Sequence, residues 1–233
     1  MKYEYQGTEL ELFKNATNWK KYFSAKLHQH IRGNVLEVGA GIGTNFNYLF
    51  TENSKHWTFV EPDLELFQVL KSKCAGEKIP TSFINGTIEN IQAKFDTIIY
   101  IDCLEHIEKS KQEIEHCYEL LNDNGKLIIL VPAYNYLFNE FDKQVGHYRR
   151  YNKTMLRSEI NDLLVEQSVF YLDSLGFFAS LANKLIIKKK LPTEKDILFW
   201  DKFLIPISKL SDLISGKSFG KSLIGVYKKE KNN

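Results

Sequence analysis

Cysteine is scarce and unpatterned in this chain: Cys74, Cys103 and Cys117 form no C-x-x-C pair and leave an odd number. That argues against a disulfide framework or a structural zinc site, and it fits a reducing compartment. Charge of one sign is lacking as well, since 31 basic residues meet 29 acidic ones for a net charge of +2. No global field therefore points to nucleic acid as a partner. No run of about 18 apolar residues occurs, which excludes a recognisable spanning helix. The start, Met1-Lys2-Tyr3-Glu4-Tyr5, lacks the apolar core of a secretory leader, so the expectation is a cytoplasmic location. Internal repeats and low-complexity tracts are missing too. What is there, 43% hydrophobic and 26% charged residues over 233 positions, suits one domain with a single sizeable core.

The most informative stretch is Val35-Leu36-Glu37-Val38-Gly39-Ala40-Gly41-Ile42-Gly43-Thr44. Apolar residues that read as a buried parallel strand run into three glycines at alternate positions, and a helical pattern follows from about Thr44. A Cβ at Gly39 or Gly41 would keep the backbone away from a ligand, and the tight turn favours positive φ. The N–H groups of the next helix would then face that ligand. A dinucleotide fingerprint would place its third glycine at position 44, but here that glycine comes one residue early, at Gly43. A second strand, Trp57-Thr58-Phe59-Val60, ends in Glu61-Pro62-Asp63, and Glu61 lies 22 residues after Gly39. At that spacing a carboxylate meets ribose hydroxyls. The competing role for Glu61 is to cap the helix that starts near Asp63.

Glu37-Val38-Gly39-Ala40-Gly41-Ile42-Gly43 together with Glu61 resembles the class I S-adenosylmethionine-dependent methyltransferases (type 11/12-like). The resemblance implies S-adenosylmethionine as cofactor, with S-adenosylhomocysteine as product. It assigns Glu37, Gly39, Ala40, Gly41, Gly43, Glu61 and Pro62 to the cofactor site. It further implies that the turn after a third strand, Thr81–Asn85, receives adenine through Thr87 and the backbone of Ile88; Thr87 stands where the family commonly has an acid. It places Asp102 beside the methionine end of the cofactor, after the strand Phe95–Ile101, with Glu105 and His106 opening the next helix. Asp102-x-x-Glu105-His106 is similar to a metal-binding variant of quinone-type O-methyltransferases, but that variant prefers Glu first and no further ligand cluster is visible in the sequence. The expectation is no metal.

Along the rest of the chain, Trp19, Phe23, Leu27 and Ile31 recur at helical spacing, giving an N-terminal helical cap over 1–32. Tyr3, Tyr5 and Trp19 are lid aromatics on the resemblance and core residues on packing grounds. A helix from about Glu108 to Leu121 stops at Asn122-Asp123-Asn124-Gly125, and Lys126–Val131 reads as a fifth strand. Strand six is expected over Val165–Leu172 and strand seven over Lys221–Tyr227. The alternation predicts an α/β fold: a single Rossmann-like domain with a doubly wound, seven-stranded, mostly parallel sheet, an antiparallel edge, and a helical insertion (174–215) before the last strand.

The long loop after strand five holds Tyr134, His147, Tyr148, Arg149, Arg150 and Tyr151. Length, aromatics and cations after a strand's carboxyl end mark it as substrate-facing, with Tyr134, Tyr148 and Arg149 as acceptor contacts. His147, His106 and Arg150 are the candidate catalytic residues, because a base is required only when the acceptor holds its proton tightly. Two guanidinium groups there suit an anionic acceptor, small or lipid-linked, methylated on oxygen or nitrogen. The insertion is both apolar and locally basic, which suits packing on the sheet edge, a homodimer contact or a peripheral anionic membrane. The rival functions are a non-catalytic cofactor-binding partner subunit and an NAD-linked oxidoreductase. The latter needs the glycine absent from position 44.

Overall fold

The computed structural model describes residues 9–76 and 78–231. Tyr3 and Tyr5 lie outside the described residues. Seven strands build one sheet: β1 (Gly33–Val38), β2 (Ser54–Glu61), β3 (Thr81–Asn85), β4 (Phe95–Ile101), β5 (Leu121–Pro132), β6 (Val165–Leu172) and β7 (Ser222–Lys228). Their order is β3-β2-β1-β4-β5-β7-β6, and only β7 runs antiparallel, to β5 on one side and β6 on the other. The order reverses between β1 and β4, the place where such sheets open a ligand crevice beyond the strand ends.

Strand composition explains the burial. Ile98, Leu127, Ile129 and Val131 enter one apolar layer and Ile99, Ile128 and Leu130 the other, so both faces need apolar side chains and the central strands read as continuous hydrophobic runs. One layer packs α2 (Thr17–Leu27), α3 (Phe46–Leu49) and α4 (Leu64–Cys74) on the sheet through Trp19, Phe23, Phe46, Trp57 and Leu70. α1 (Glu9–Phe13) adds Leu12 and Phe13 to its edge. The other layer holds α5 (Ser110–Leu120) and α7 (Lys153–Ile160) through Ile114, Cys117, Leu156 and Ile160.

Two expected boundaries differ. The helix ends at Leu120, close to the expected Leu121, but Asn122-Asp123-Asn124-Gly125 already belongs to the irregular start of β5, where Leu121 pairs with Phe95 and Asn124 takes a φ of 63°. The long loop after β5 is also partly helical. It contains α6 (Glu140–Gln144), whose first turn is closed by a reciprocal box between Asn139 and Asp142.

The insertion carries α8 (Ser174–Ala182), a π turn over Asn183–Ile187, α9 (Glu194–Phe199), a second π turn over Trp200–Leu204 and α10 (Ile205–Ile214). α9, the second π turn and α10 follow without a break. Three buried aspartates pin this unit to the body. Asp201 accepts from the backbone N–H of Trp19 at 2.8 Å. Asp212 accepts from the Tyr22 hydroxyl at 2.9 Å and from the Asp173 and Ser174 amides at 2.8 and 2.9 Å. Asp173 accepts from the Trp200 indole at 2.8 Å and the Ser208 hydroxyl at 2.7 Å.

Candidate active site

The glycine turn after β1 is held in a shape that side chains resist. Gly39, Gly41 and Gly43 have φ of +66°, +55° and +74°. The three have different neighbours. A Cβ on Gly39 would meet Cys103 Sγ at 2.2 Å, and one on Gly43 would meet Cys74 Sγ at 2.6 Å, whereas one on Gly41 would only touch Leu10 at 3.4 Å. Gly39 and Gly41 line a cavity of about 400 Å³ beyond the strand ends, together with Ala40, Glu61, Pro62, Thr87, Ile88 and Asp102.

Glu61, at the end of β2, is 4% exposed and lines this cleft. Its Oε2 accepts from Gly41 N–H at 2.8 Å and its Oε1 from Asp63 N–H at 3.0 Å. Burial lifts its pKa to about 6 against the lowering pull of those two amides. The cap of α4 is Asp63, which accepts from the Glu65 and Leu66 amides, so the capping role proposed for Glu61 falls to its neighbour. At the adenine end, Thr87 caps a 3₁₀ turn in a reciprocal box with Asn90, leaving it at the rim, while Ile88 is buried beneath.

Two residues assigned to the cofactor lie behind the cleft. Glu37 is buried on β1, where its Oε2 accepts from the Trp57 indole at 3.0 Å, and burial raises its pKa to about 7. Gly43 is required by close packing on Leu70 and Cys74. Leu10, Thr44, Leu66 and Cys103 line the cleft without having been expected there. Their apolar or small side chains leave no motif in the sequence.

A smaller cavity, about 160 Å³, shares Leu10, Asn45, Ile101, Asp102 and His106 with the cofactor cleft. Trp19 lines it but is mainly a core residue, 6% exposed and edge-on to Phe23. Five titratable or charged groups converge at or beside it: Asp142, His147, Arg150, His106 and Glu105. Asp142 is fully buried at the start of α6; it accepts from His147 Nδ1 at 2.8 Å and from Arg150 Nε at 2.7 Å. Burial alone would raise Asp142, but these two bonds outweigh it and hold the carboxyl below its ordinary value. The proton is thereby assigned to Nδ1 of His147, leaving Nε2 as acceptor on the side of Glu105, 3.8 Å from Oε1. His106 lies edge-on to His147, ring centroids 4.6 Å apart, and burial with that neighbour lowers its pKa to about 3.

Glu105 is 0% exposed and, among the described residues, neither of its carboxyl oxygens has a hydrogen-bond partner; Arg150 Nη1 is likewise unsatisfied among them. Burial, with Asp102 beside it, raises Glu105 well above the usual carboxyl range. Burial likewise raises Asp102, which takes a strained φ of +48° at the end of β4. Glu105, His106 and His147 place ligand atoms within 4.8 Å of one another, a cluster the sequence did not reveal because His147 lies 41 residues from His106. The charges of Arg150 and Lys221 act on the adjoining acids and oppose a cation there.

Two expected acceptor contacts turn away. Arg149 donates to the Glu108 carbonyl at 2.7 Å and to the Ser110 hydroxyl, with Glu159 at 3.9 Å, so its guanidinium ties the loop to α5 and α7. Tyr134 stacks on Tyr171 and Tyr136, at 4.9 and 5.1 Å, because a φ of +65° turns it toward β6. Tyr148, 54% exposed, does line the cofactor cleft.

A doubly wound sheet with β7 reversed, a glycine turn at its switch point and an acid at the end of β2 defines a class I S-adenosylmethionine-dependent methyltransferase. A family model described as a methyltransferase domain matches residues 10–168, and the chain belongs to that family. Among curated proteins it is similar to the mitochondrial methyltransferase OMS1 of Saccharomyces cerevisiae, 27% identical over 125 residues. That match covers 45% of this chain and 26% of the yeast protein. The fold is shared with the N-methyltransferase NodS of Bradyrhizobium japonicum, solved with S-adenosylhomocysteine (12% identity, 93% of this chain and 89% of that one, TM-score 0.60). It is shared too with phosphoethanolamine N-methyltransferase 2 of Haemonchus contortus, solved with S-adenosylmethionine (16% identity, 97% and 58%, TM-score 0.62).

The cofactor is S-adenosylmethionine, and the residues present fit it: backbone amides bare of Cβ at Gly39 and Gly41, and a buried carboxylate facing the same cleft. When bound, it supplies an electrophilic methyl group on a sulfonium. Glu61 offers acceptor oxygens for hydroxyls, and α1 covers the cleft with Leu10.

Proposed function

We propose that the enzyme methylates a hydroxyl on an acceptor with an anionic group and an apolar body, and that His147 is the general base. The carrying observation is the Asp142–His147 pair, in which a buried carboxylate fixes the imidazole with Nε2 toward the inner cavity. His147 would take the acceptor's hydroxyl proton at Nε2, while the bound cofactor would supply the methyl group and leave as S-adenosylhomocysteine; Asp142 positions the ring and balances the imidazolium. The unsatisfied Nη1 of Arg150 and the ammonium of Lys221 line the same cavity and favour a negative group there. Phe13, Phe141 and Trp200 supply its apolar walls. Glu105, which lines the cavity with both oxygens free of partners among the described residues, is available to hydrogen-bond a second polar atom of the acceptor.

Tritiated S-adenosylmethionine incubated with fractionated organic and aqueous extracts tests this reading. Label should enter an acidic, organic-soluble product. His147→Ala should lower turnover by about 10²–10⁴-fold while leaving S-adenosylhomocysteine affinity unchanged. Undiminished turnover in His147→Ala would overturn the assignment of the base.

A further inference from the structure

The rod formed by α9, the π turn and α10 is partly inverted in polarity. Its inward face carries Asp201, Ser208 and Asp212, buried and hydrogen-bonded to the body, beside the core residues Ile197, Trp200 and Ile205. Its outward face carries Phe199, Phe203, Ile207, Leu210 and Ile214, spaced 4, 4, 3 and 4 residues apart, a continuous helical stripe. Phe203, Ile207, Leu210 and Ile214 are 59, 55, 62 and 81% exposed. An ordinary surface helix turns its apolar stripe toward the core. Here the core side is already filled by Ile197, Trp200, Ile205 and the polar bonds of the aspartates, so the outer stripe is a second apolar face, left for something beyond the chain. The turn after α8 adds Leu185, Ile186 and Ile187, exposed at 63, 79 and 65%.

We infer that this face docks on an anionic lipid bilayer. Charge complementarity selects that occupant: residues 174–215 hold seven lysines against four acids, and two of the acids, Asp201 and Asp212, are buried in the network. Lys188, Lys190, Lys195 and Lys202 are exposed along the same segment as the apolar residues. Apolar side chains flanked by cations suit the boundary between acyl chains and anionic headgroups. No helix among the described residues is long and apolar enough to cross a membrane, so the contact lies on the surface.

A second observation ties the face to the active site. Ile187, Lys189, Lys190 and Phe199 line an outer cavity of about 340 Å³, which shares Phe13, Phe141, Arg150, Trp200 and Lys221 with the inner one. The docked surface thus borders an outer cavity that shares a wall with the cavity holding His147. Entry of an amphiphilic acceptor from the bilayer rests on the function proposed above; docking itself does not.

Co-sedimentation with phosphatidylcholine vesicles, with and without phosphatidylglycerol, decides the matter, alongside light scattering of the protein alone. Binding should require phosphatidylglycerol and weaken with salt. It should fall at least about tenfold in Lys188→Glu/Lys202→Glu and in Phe203→Ser/Leu210→Ser. Both variants should keep wild-type circular dichroism and S-adenosylhomocysteine affinity, which separates lost docking from lost fold. No sedimentation at low salt overturns the proposal. So does a dimer that the Phe203→Ser/Leu210→Ser variant dissociates, since a second copy would then occupy the face. Vesicle binding by an enzyme that methylates only water-soluble acceptors would leave docking standing and remove the proposed acceptor instead.

Discussion

The cofactor half and the insertion solve burial in opposite ways. At the ends of β1, β2 and β4, apolar strands fill the interior, and Glu61, Asp102 and the glycine turn gather where a ligand belongs. In the insertion, buried aspartates and serines share the body-facing side with Ile197, Trp200 and Ile205, while Phe203, Ile207, Leu210 and Ile214 face outward. The first pattern is that of a site built to hold a small molecule. The second is that of a surface whose apolar side is completed from outside. Between them stand His147 and Arg150, whose partner Asp142 is supplied by α6.

Variants can break the first half selectively, and the largest effect should come from its backbone. Gly39→Val would force a branched side chain into a φ of +66° and against Cys103. Loss of S-adenosylhomocysteine binding below detection and a drop of roughly 3 kcal/mol or more in urea stability should follow from strain plus overlap. Glu61→Ala should weaken S-adenosylhomocysteine by about 1–3 kcal/mol in calorimetry, through lost charge-assisted hydrogen bonds. Because Glu61 carries a pKa raised to about 6, affinity should also fall as pH drops below that value, and this pH dependence should vanish in the variant. Unchanged affinity in Glu61→Ala would remove it from the site.

Glu37 sharpens the comparison because it is polar, buried and outside the cleft. Its pKa is raised to about 7 from 4.5, so its neutral form is the one the fold favours. The sign follows: its contribution is fully present below about pH 4.5 and is lost as pH rises through about 7. Glu37→Gln should match wild type near pH 5 and exceed it near pH 8 by roughly 2 kcal/mol in denaturant unfolding, on the scale of 1.4 kcal/mol per pKa unit. A stability gap that does not widen with pH would contradict the buried-carboxyl account. The smallest effect belongs to Arg149→Lys, which should lower stability by about 1 kcal/mol and leave kcat/KM intact, because the guanidinium binds α5 and α7 rather than the cavity. Impaired turnover at full stability would return Arg149 to the acceptor.

The sequence made the cofactor half legible because each of its devices is local. Glycines in series, an acid at a strand end and apolar runs bounded by turns all leave their mark within about ten residues. β3, β4 and β6 fall where those signals place them. The acceptor side was legible only as a cluster of residue types. His147, Tyr148, Arg149 and Arg150 are adjacent in sequence, yet the backbone sends them to three neighbourhoods: His147 and Arg150 to Asp142 and the inner cavity, Tyr148 to the cofactor rim and Arg149 to the α5–α7 seam. Asp142 was legible as a partner for the loop's arginines, and it does hold Arg150; its hold on His147 was hidden, since a lone Asp near a helix start looks like a cap. It does cap, accepting from Asn139 N–H at 2.9 Å, and its other oxygen orients the histidine. The inverted insertion was legible as apolar and basic, but not which face was buried, because that depends on aspartates bonding to partners such as Trp19 and Tyr22 far earlier in the chain.

Calorimetric titration of S-adenosylhomocysteine into wild type, Glu61→Ala and Phe203→Ser/Leu210→Ser tests most directly the division into a cofactor half and an outward-facing half. Tight binding should persist in wild type and in the insertion variant and weaken by about 1–3 kcal/mol in Glu61→Ala. Equal losses in both variants, or a wild-type protein that binds NAD and ignores S-adenosylhomocysteine, would contradict it.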